Sequence, residues 1–97
     1  MTSKSKKSKL ERELAEFRDS NFSHNSAEEF LRFKGDSPDN YTTIYLSAAY
    51  VEARDADKKI YETELKLAQT AREKGCRYVT NMDYCGPCIA ATGLKPK

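Results

Sequence analysis

The sequence contains no tryptophan and a single histidine, His24. It has no glycine-rich phosphate-binding loop, no G-x-S-x-G nucleophile elbow and no H-E-x-x-H zinc motif, so these enzyme signatures are excluded. No serine or cysteine stands at a recognisable spacing from His24, and the neighbours of His24 are short polar residues typical of turns. We therefore expect a turn residue at His24 and a non-enzymatic protein.

Long hydrophobic runs are also lacking. No stretch approaches the roughly 20 apolar residues that a membrane-spanning helix needs, so we expect a soluble protein without membrane contact. The 97 residues suit one domain with a modest core, because 33% are charged and 38% hydrophobic. No signal-peptide pattern opens the chain, and three cysteines cannot all pair within one copy, so we expect a cytoplasmic, reducing compartment.

Positive charge is concentrated at the N-terminus, although the formal net charge is only +2. The first nine residues hold no acid and four lysines, Lys4, Lys6, Lys7 and Lys9. A serine- and lysine-rich segment cannot bury apolar surface, so residues 1–8 are predicted to form a disordered basic arm. Such an arm can contact nucleic-acid phosphates through these lysines, which makes nucleic-acid binding one alternative function.

Two short helices are predicted near the N-terminus. Over residues 9–19, apolar side chains recur at the i, i+4 and i+7 spacing of one helical face. The second helix is predicted to begin at Ser26, which can form a capping box with Glu29, and to end at Gly35.

One long helix is predicted for about residues 38–74. Ser37 can cap its start with Pro38 in the first helical position, and no further glycine or proline occurs before Gly75. The apolar stripe along this helix is long for so small a chain, so we expect it to bind a protein partner or a second copy in an antiparallel homodimer. The predicted interface residues are Tyr41, Ile44, Tyr45, Ala48, Ile60 and Leu67.

Residues typical of strands occur near the start of this predicted helix and again after its end. The threonines, isoleucine and tyrosines of residues 41–46 also suit a strand, but their alternation is poor. Residues 77–80 are extended by preference, yet no convincing partner strand is evident. The predicted fold class is therefore mainly α, with two short helices packed on the long one and an irregular or short-strand C-terminal segment. Residues 9–97 would form this single helical domain, with the cysteine segment at 76–88.

Cys85-Gly86-Pro87-Cys88 is the most specific motif in the chain. It resembles the thioredoxin active site, in which the same four residues begin a helix whose N-terminus stabilises the first thiolate. The resemblance implies thiol-disulfide redox chemistry at Cys85 and Cys88. It covers four residues, Tyr84 stands where that family typically has tryptophan, and the nine residues after Cys88 are too few for the thioredoxin sheet.

A zinc site is a further interpretation of the cysteines. Cys85 and Cys88 have the spacing of a thiolate pair, and Cys76 could supply a third ligand. The fourth ligand would have to come from His24, from Asp83 or from a second protomer. Without metal, the same cysteines are a small packed residue near a helix end and two residues of a turn, so no cofactor is expected unless zinc is bound.

These patterns together predict a non-enzymatic interaction or regulatory protein that binds a macromolecular partner. The size, charge and lack of cofactor motifs are typical of accessory factors of viruses and mobile elements. Nucleic-acid binding, a zinc-stabilised module and a thiol-disulfide redox protein stay as alternatives.

Overall fold

The computed structural model describes residues 8–49, 56–85 and 87–97. Along the chain it contains helix α1 (Lys9–Asn21), helix α2 (Ala27–Lys34), one 3-10 turn (Pro38–Asn40), strand β1 (Tyr41–Ala49), helix α3 (Ala56–Glu73), and strands β2 (Tyr78–Cys85) and β3 (Cys88–Pro96). The prediction of a mainly α fold is therefore wrong. The described chain is an α+β fold with a three-stranded antiparallel sheet.

The predicted helix at 38–74 is replaced by a strand and a shorter helix. Its start signal is real, since the hydroxyl of Ser37 accepts a hydrogen bond from the amide of Asp39 at 3.3 Å and Pro38 follows the cap. However, only the single turn Pro38–Asn40 forms before the chain extends into β1. The threonines, isoleucine and tyrosines of this segment favour an extended backbone, and pairing with β3 stabilises it.

The two N-terminal helices lie where the sequence predicts them. Ser8 caps α1 in a capping box with Glu11, which the sequence analysis did not single out. Ser26 caps α2, and Gly35 ends it with a left-handed φ of 76°. The predicted packing of both helices on one long helix is wrong, because α1 packs on α3 and β2, whereas α2 packs on β2 and the 3-10 turn.

The sheet has the order β1-β3-β2, so the last strand in the chain is the central one. On one side β3 pairs with β1 from Tyr41 opposite Pro96 to Ala49 opposite Cys88. On its other side it pairs with β2. The C-terminal segment, expected to be irregular or a short strand, is thus the two paired strands β2 and β3, and the partner that 77–80 lacked in the sequence analysis is β3.

The main hydrophobic core lies between one face of the sheet, here called the inner face, and the helices α1 and α3. Leu67 and Ala71 of α3 pack there against Leu46 of β1 and against Ile89 and Ala91 of β3. Among the residues that the structure describes, those covering the opposite, outer face lie at one end only. The residues of that second cluster are Phe30 and Leu31 of α2 with Tyr41 and Leu94 of the sheet.

Gly93 lies on the inner face at a point of very close packing. A Cβ at this position would come within 2.5 Å of Cys76 Sγ and 3.0 Å of Leu46 Cδ1. The absence of a side chain at 93 therefore lets the segment before β2 close over the central strand.

We predict that Gly93→Ala destabilises the fold by about 1–3 kcal/mol, because the added methyl group overpacks the core. Urea unfolding of four proteins forms a double-mutant cycle: wild type, Gly93→Ala, Cys76→Ala and the double variant. The cost of Gly93→Ala should be smaller in the Cys76→Ala background, where the nearest atom is gone. An equal cost in both backgrounds would contradict the proposed contact.

Candidate functional site

The two edge strands of the sheet differ in how their outer backbone groups are satisfied. The edge of β2 is covered by the chain itself, since Phe22 forms a parallel bridge with Val79 and the amide of Ser23 donates to the carbonyl of Val79 at 3.1 Å. The amide of Asn81 donates to the carbonyl of Asn25 at 3.0 Å. A bulge follows Thr80, where Asn81 adopts a left-handed φ of 56°.

The outer edge of β1 has no such cover in the described part of the chain, where β1 pairs with β3 alone. The amide of Lys97 donates to the carbonyl of Asn40 at 2.9 Å, which fixes the alternation of the ladder. Even-numbered residues of β1 therefore bond to β3, and odd-numbered ones point their backbone groups away from the sheet. We call the outward groups of Thr43, Tyr45, Ser47 and Ala49 the open edge.

The composition of β1 is unusual for an edge strand. Natural edge strands are commonly blunted by lysine, proline, a bulge or shortness. β1 is nine residues long and contains no charge, proline or glycine. The two longest uncharged stretches of the sequence are 40–51, which contains β1, and 84–94, which contains most of the central strand β3. β1 thus has the composition of an interior strand, although it lies at an edge of the sheet.

The outer face beside the open edge is accessible as well. Tyr45 is 74% exposed, and its neighbours Thr43, Ser47 and Ala49 are exposed. The adjacent residues of β3 are half-buried and small or weakly polar. Backbone donors and acceptors next to an exposed aromatic side chain are the features by which proteins take up an additional strand.

Five of the six predicted interface residues contribute to the intramolecular core instead. Leu67 is fully buried, Tyr41 is buried, and Ile44, Ala48 and Ile60 are half-buried against the inner-face core. They do so because β1 and α3 pack on each other within one chain. Tyr45 alone among the six is exposed. The continuous helix that was to carry these residues is wrong, because β1 occupies 41–49, while the homodimer itself stays a prediction.

The structure does not bring the three cysteines together. Cys76 is buried beside Gly93, whereas Cys85 and Cys88 face each other as backbone partners at the hairpin that joins β2 and β3. Gly93 and Cys88 are five residues apart on β3, about 17 Å along a strand. Thiolates that share one zinc ion lie about 2.3 Å from it. Across the described residues, no group of three histidine, cysteine, aspartate or glutamate side chains is arranged to hold a metal ion.

The C-x-x-C motif also lies in a different setting from that of thioredoxin. Cys85 ends β2 and Cys88 begins β3, so the helix that the resemblance implied after the first cysteine is replaced by a strand. The stabilising effect of a helix N-terminus on a thiolate is therefore missing from this motif. Burial raises the pKa of the third cysteine, Cys76, which disfavours its reactive form.

The residues proposed for nucleic-acid contact are mostly outside the described part of the chain. Lys4, Lys6 and Lys7 lie there with the rest of the predicted arm up to residue 7, while Lys9 is the exposed first residue of α1. His24 is an exposed residue of the segment between α1 and α2, and its ring lies 5.4 Å from that of Tyr84.

A polar cluster that the sequence analysis missed joins α1, α3 and β2. Arg18 Nη1 bonds to Glu64 Oε1 at 2.7 Å, and the hydroxyl of Tyr84 donates to Glu64 Oε2 at 2.7 Å. The guanidinium of Arg18 also lies over the ring of Tyr61, 4.5 Å from its centroid. Burial and the bond to Glu64 raise the pKa of Tyr84. Because both carboxylate oxygens are engaged, we interpret this cluster as a structural brace.

Comparison with protein-family models, with curated proteins and with solved structures finds no significant match to this chain. Of the helices that the structure describes, none is both long enough and apolar enough to cross a bilayer. The open edge of β1 and the exposed Tyr45 thus form the candidate site on geometry and composition alone.

We predict that Cys76 resists alkylation in the folded protein, since it is only 6% exposed and burial raises its pKa. Iodoacetamide labelling followed by peptide mass spectrometry should show Cys76 reacting at least about tenfold more slowly in the native protein than in urea. Equal rates in the native protein and in urea would contradict the core position of Cys76.

We predict a loss of stability at alkaline pH through Tyr41. Burial, and then the hydrogen bond from its hydroxyl to Asp36, raise the pKa of Tyr41 to about 12, against about 10 for an unfolded chain. The fold favours the protonated phenol, so this stabilisation is complete below pH 10 and is lost as the pH rises towards about 12. Urea unfolding from about pH 9 to 11 should show a decline that is smaller in Tyr41→Phe. The exposed-ring variant Tyr45→Phe is the control, and an identical decline in Tyr41→Phe would exclude this contribution.

Proposed function

We propose that this chain is a small non-enzymatic interaction protein that binds a macromolecular partner protein through β1. The open edge would accept one additional strand, and Tyr45 would contact side chains of that strand. The observation that carries the proposal is a nine-residue uncharged strand at an edge of the sheet, in a chain of which 33% is charged. Such an edge is a ready template for pairing unless something covers it.

The energetics of strand addition support a selective interaction. Each backbone hydrogen bond contributes about 0.5–1.5 kcal/mol net, so the four outward amides and their neighbouring carbonyls supply several kcal/mol. Association costs about 4–15 kcal/mol in lost freedom. The two amounts are similar, so backbone pairing alone gives little net affinity, and contacts of the partner with Tyr45 and the outer face would supply the rest. These contacts would give specificity to an otherwise sequence-independent pairing.

The role and compartment of the protein are part of the same proposal. We propose a regulatory function in a reducing, cytoplasmic environment, which the buried Cys76 thiol supports. The compositional analogy with viral and mobile-element accessory factors agrees with a small chain that acts by binding. The competing proposal is contact with nucleic acid through Lys4, Lys6, Lys7 and Lys9. Nuclease treatment distinguishes it from binding of a partner protein through β1.

We predict that Thr43→Pro abolishes capture of the partner while the fold is retained. Proline removes the outward amide of Thr43, which makes no bond to β3, and proline is tolerated on edge strands. Immobilised wild type, Thr43→Pro and the control Phe33→Ser should be compared in extracts of the native cells. Phe33 is an 80% exposed aromatic residue of α2, outside the open edge.

The expected result is a set of proteins held by the wild type and by Phe33→Ser, but reduced at least about tenfold with Thr43→Pro. Nuclease should leave this set unchanged. Equal capture by Thr43→Pro would overturn binding through β1, and capture that disappears with nuclease in all three samples would favour the nucleic-acid function. Circular dichroism checks that Thr43→Pro remains folded.

A further inference from the structure

The sequence of β1 is suited to one partner strand in particular, namely β1 of a second copy of the chain. We propose that β1 pairs with β1 of a second copy in an antiparallel arrangement with its two-fold axis at Tyr45, so that two three-stranded sheets become one six-stranded sheet. This inference rests on the proposed use of β1 for strand addition and names the partner strand.

The sequence of β1 is complementary to itself about Tyr45. An antiparallel two-fold axis there places Thr43 opposite Ser47 of the other copy and Tyr45 opposite Tyr45. Hydroxyl pairs and aromatic pairs are favourable cross-strand neighbours. On the inner face, Ile44 would lie opposite Leu46. Because β1 carries no charge, this register opposes no like charges within the strand pair.

The same axis satisfies the outward hydrogen-bonding groups. The amides of Thr43, Tyr45, Ser47 and Ala49 would meet the carbonyls of Ser47, Tyr45, Thr43 and Tyr41 in the other copy, all of which also point outward. Four donors from each copy give eight hydrogen bonds. The amide of Tyr41 needs no partner, since it already donates to the carbonyl of Pro38. Every outward amide of β1 is thereby paired.

On the inner face, helix α3 packs on both β1 and β3. Neighbouring strands lie about 4.8 Å apart, and the axes of packed helices lie about 8–10 Å apart. The joined sheet therefore requires each α3 axis to lie about 4–5 Å from the two-fold axis, between β1 and β3.

The test introduces a positive or a negative charge at Tyr45, the residue that would lie opposite Tyr45 of the second copy. Tyr45→Lys and Tyr45→Glu should each weaken association at least about tenfold, because each places two like charges side by side. An equimolar mixture should recover the dimer, because Lys then faces Glu. Sedimentation velocity at about 10–300 μM measures the wild type, both variants and the mixture. Phe33→Lys and Phe33→Glu, on an exposed aromatic outside the edge, are the matched controls and should dimerise like the wild type.

Amide exchange provides the second measurement. The amides of the open edge should be protected in the wild type and exchange rapidly in Tyr45→Lys, whereas the amides of Thr42, Ile44 and Leu46 should stay protected in both. Loss of protection at Ile44 would show that the variant is unfolded. In that case the exchange pattern of the wild type decides, and rapid exchange throughout the open edge in the wild type overturns the dimer.

The remaining outcomes are also decisive. A wild type that stays monomeric at 300 μM, or a mixture that fails to recover association, overturns pairing about Tyr45. A monomer whose partner capture is nevertheless lost in Thr43→Pro leaves the proposed function standing with a different strand in the edge. A monomer with no capture that depends on the edge removes both proposals.

Discussion

The structure depends on the central position of β3. This strand supplies hydrogen bonds to β1 on one side and to β2 on the other, and its inner-face residues Ile89 and Ala91 belong to the core that α3 covers. Because β3 is enclosed on both sides, the exposed backbone of the sheet is confined to its two edges. The two edges are therefore the places where a further strand could pair with the sheet.

The sequence predicts the elements whose signals are local. Helix α2 was predicted at both ends because the Ser26 cap and the left-handed Gly35 act within one turn of the helix that they bound. The sequence does not predict β1, because Ser37 caps a real helical turn that ends after Asn40. In addition, the apolar residues of 41–46 fit the spacing of a helix as well as that of a strand. The contact that decides between them is the pairing with β3, about 40 to 55 residues later in the chain. No local signal contains that information.

The residues of the candidate sites show the same difference between local signals, which the sequence reveals, and long-range contacts, which it does not. Cys76 and Cys85 are nine residues apart in sequence, but a strand lies between them, and the extended backbone of β2 carries them away from each other. The brace of Arg18, Glu64 and Tyr84 joins three elements across separations of 46 and 20 residues. Neither fact was predictable without the topology. Tyr45 was singled out for the wrong helix, yet it is exposed because the alternation of β1 places it on the outer face.

The contrast between the two edges limits what pairing at β1 can produce. An exposed neutral strand normally risks open-ended aggregation, because each added strand presents a new edge. Here the other edge, β2, is bulged and covered by residues 22–25 of its own chain. If β1 pairs with its copy, both ends of the joined sheet are covered β2 strands, and growth stops at two chains. Closure of this kind reconciles an unprotected strand with an assembly of limited size, since a two-fold contact uses up the edge of β1 that the described residues leave open.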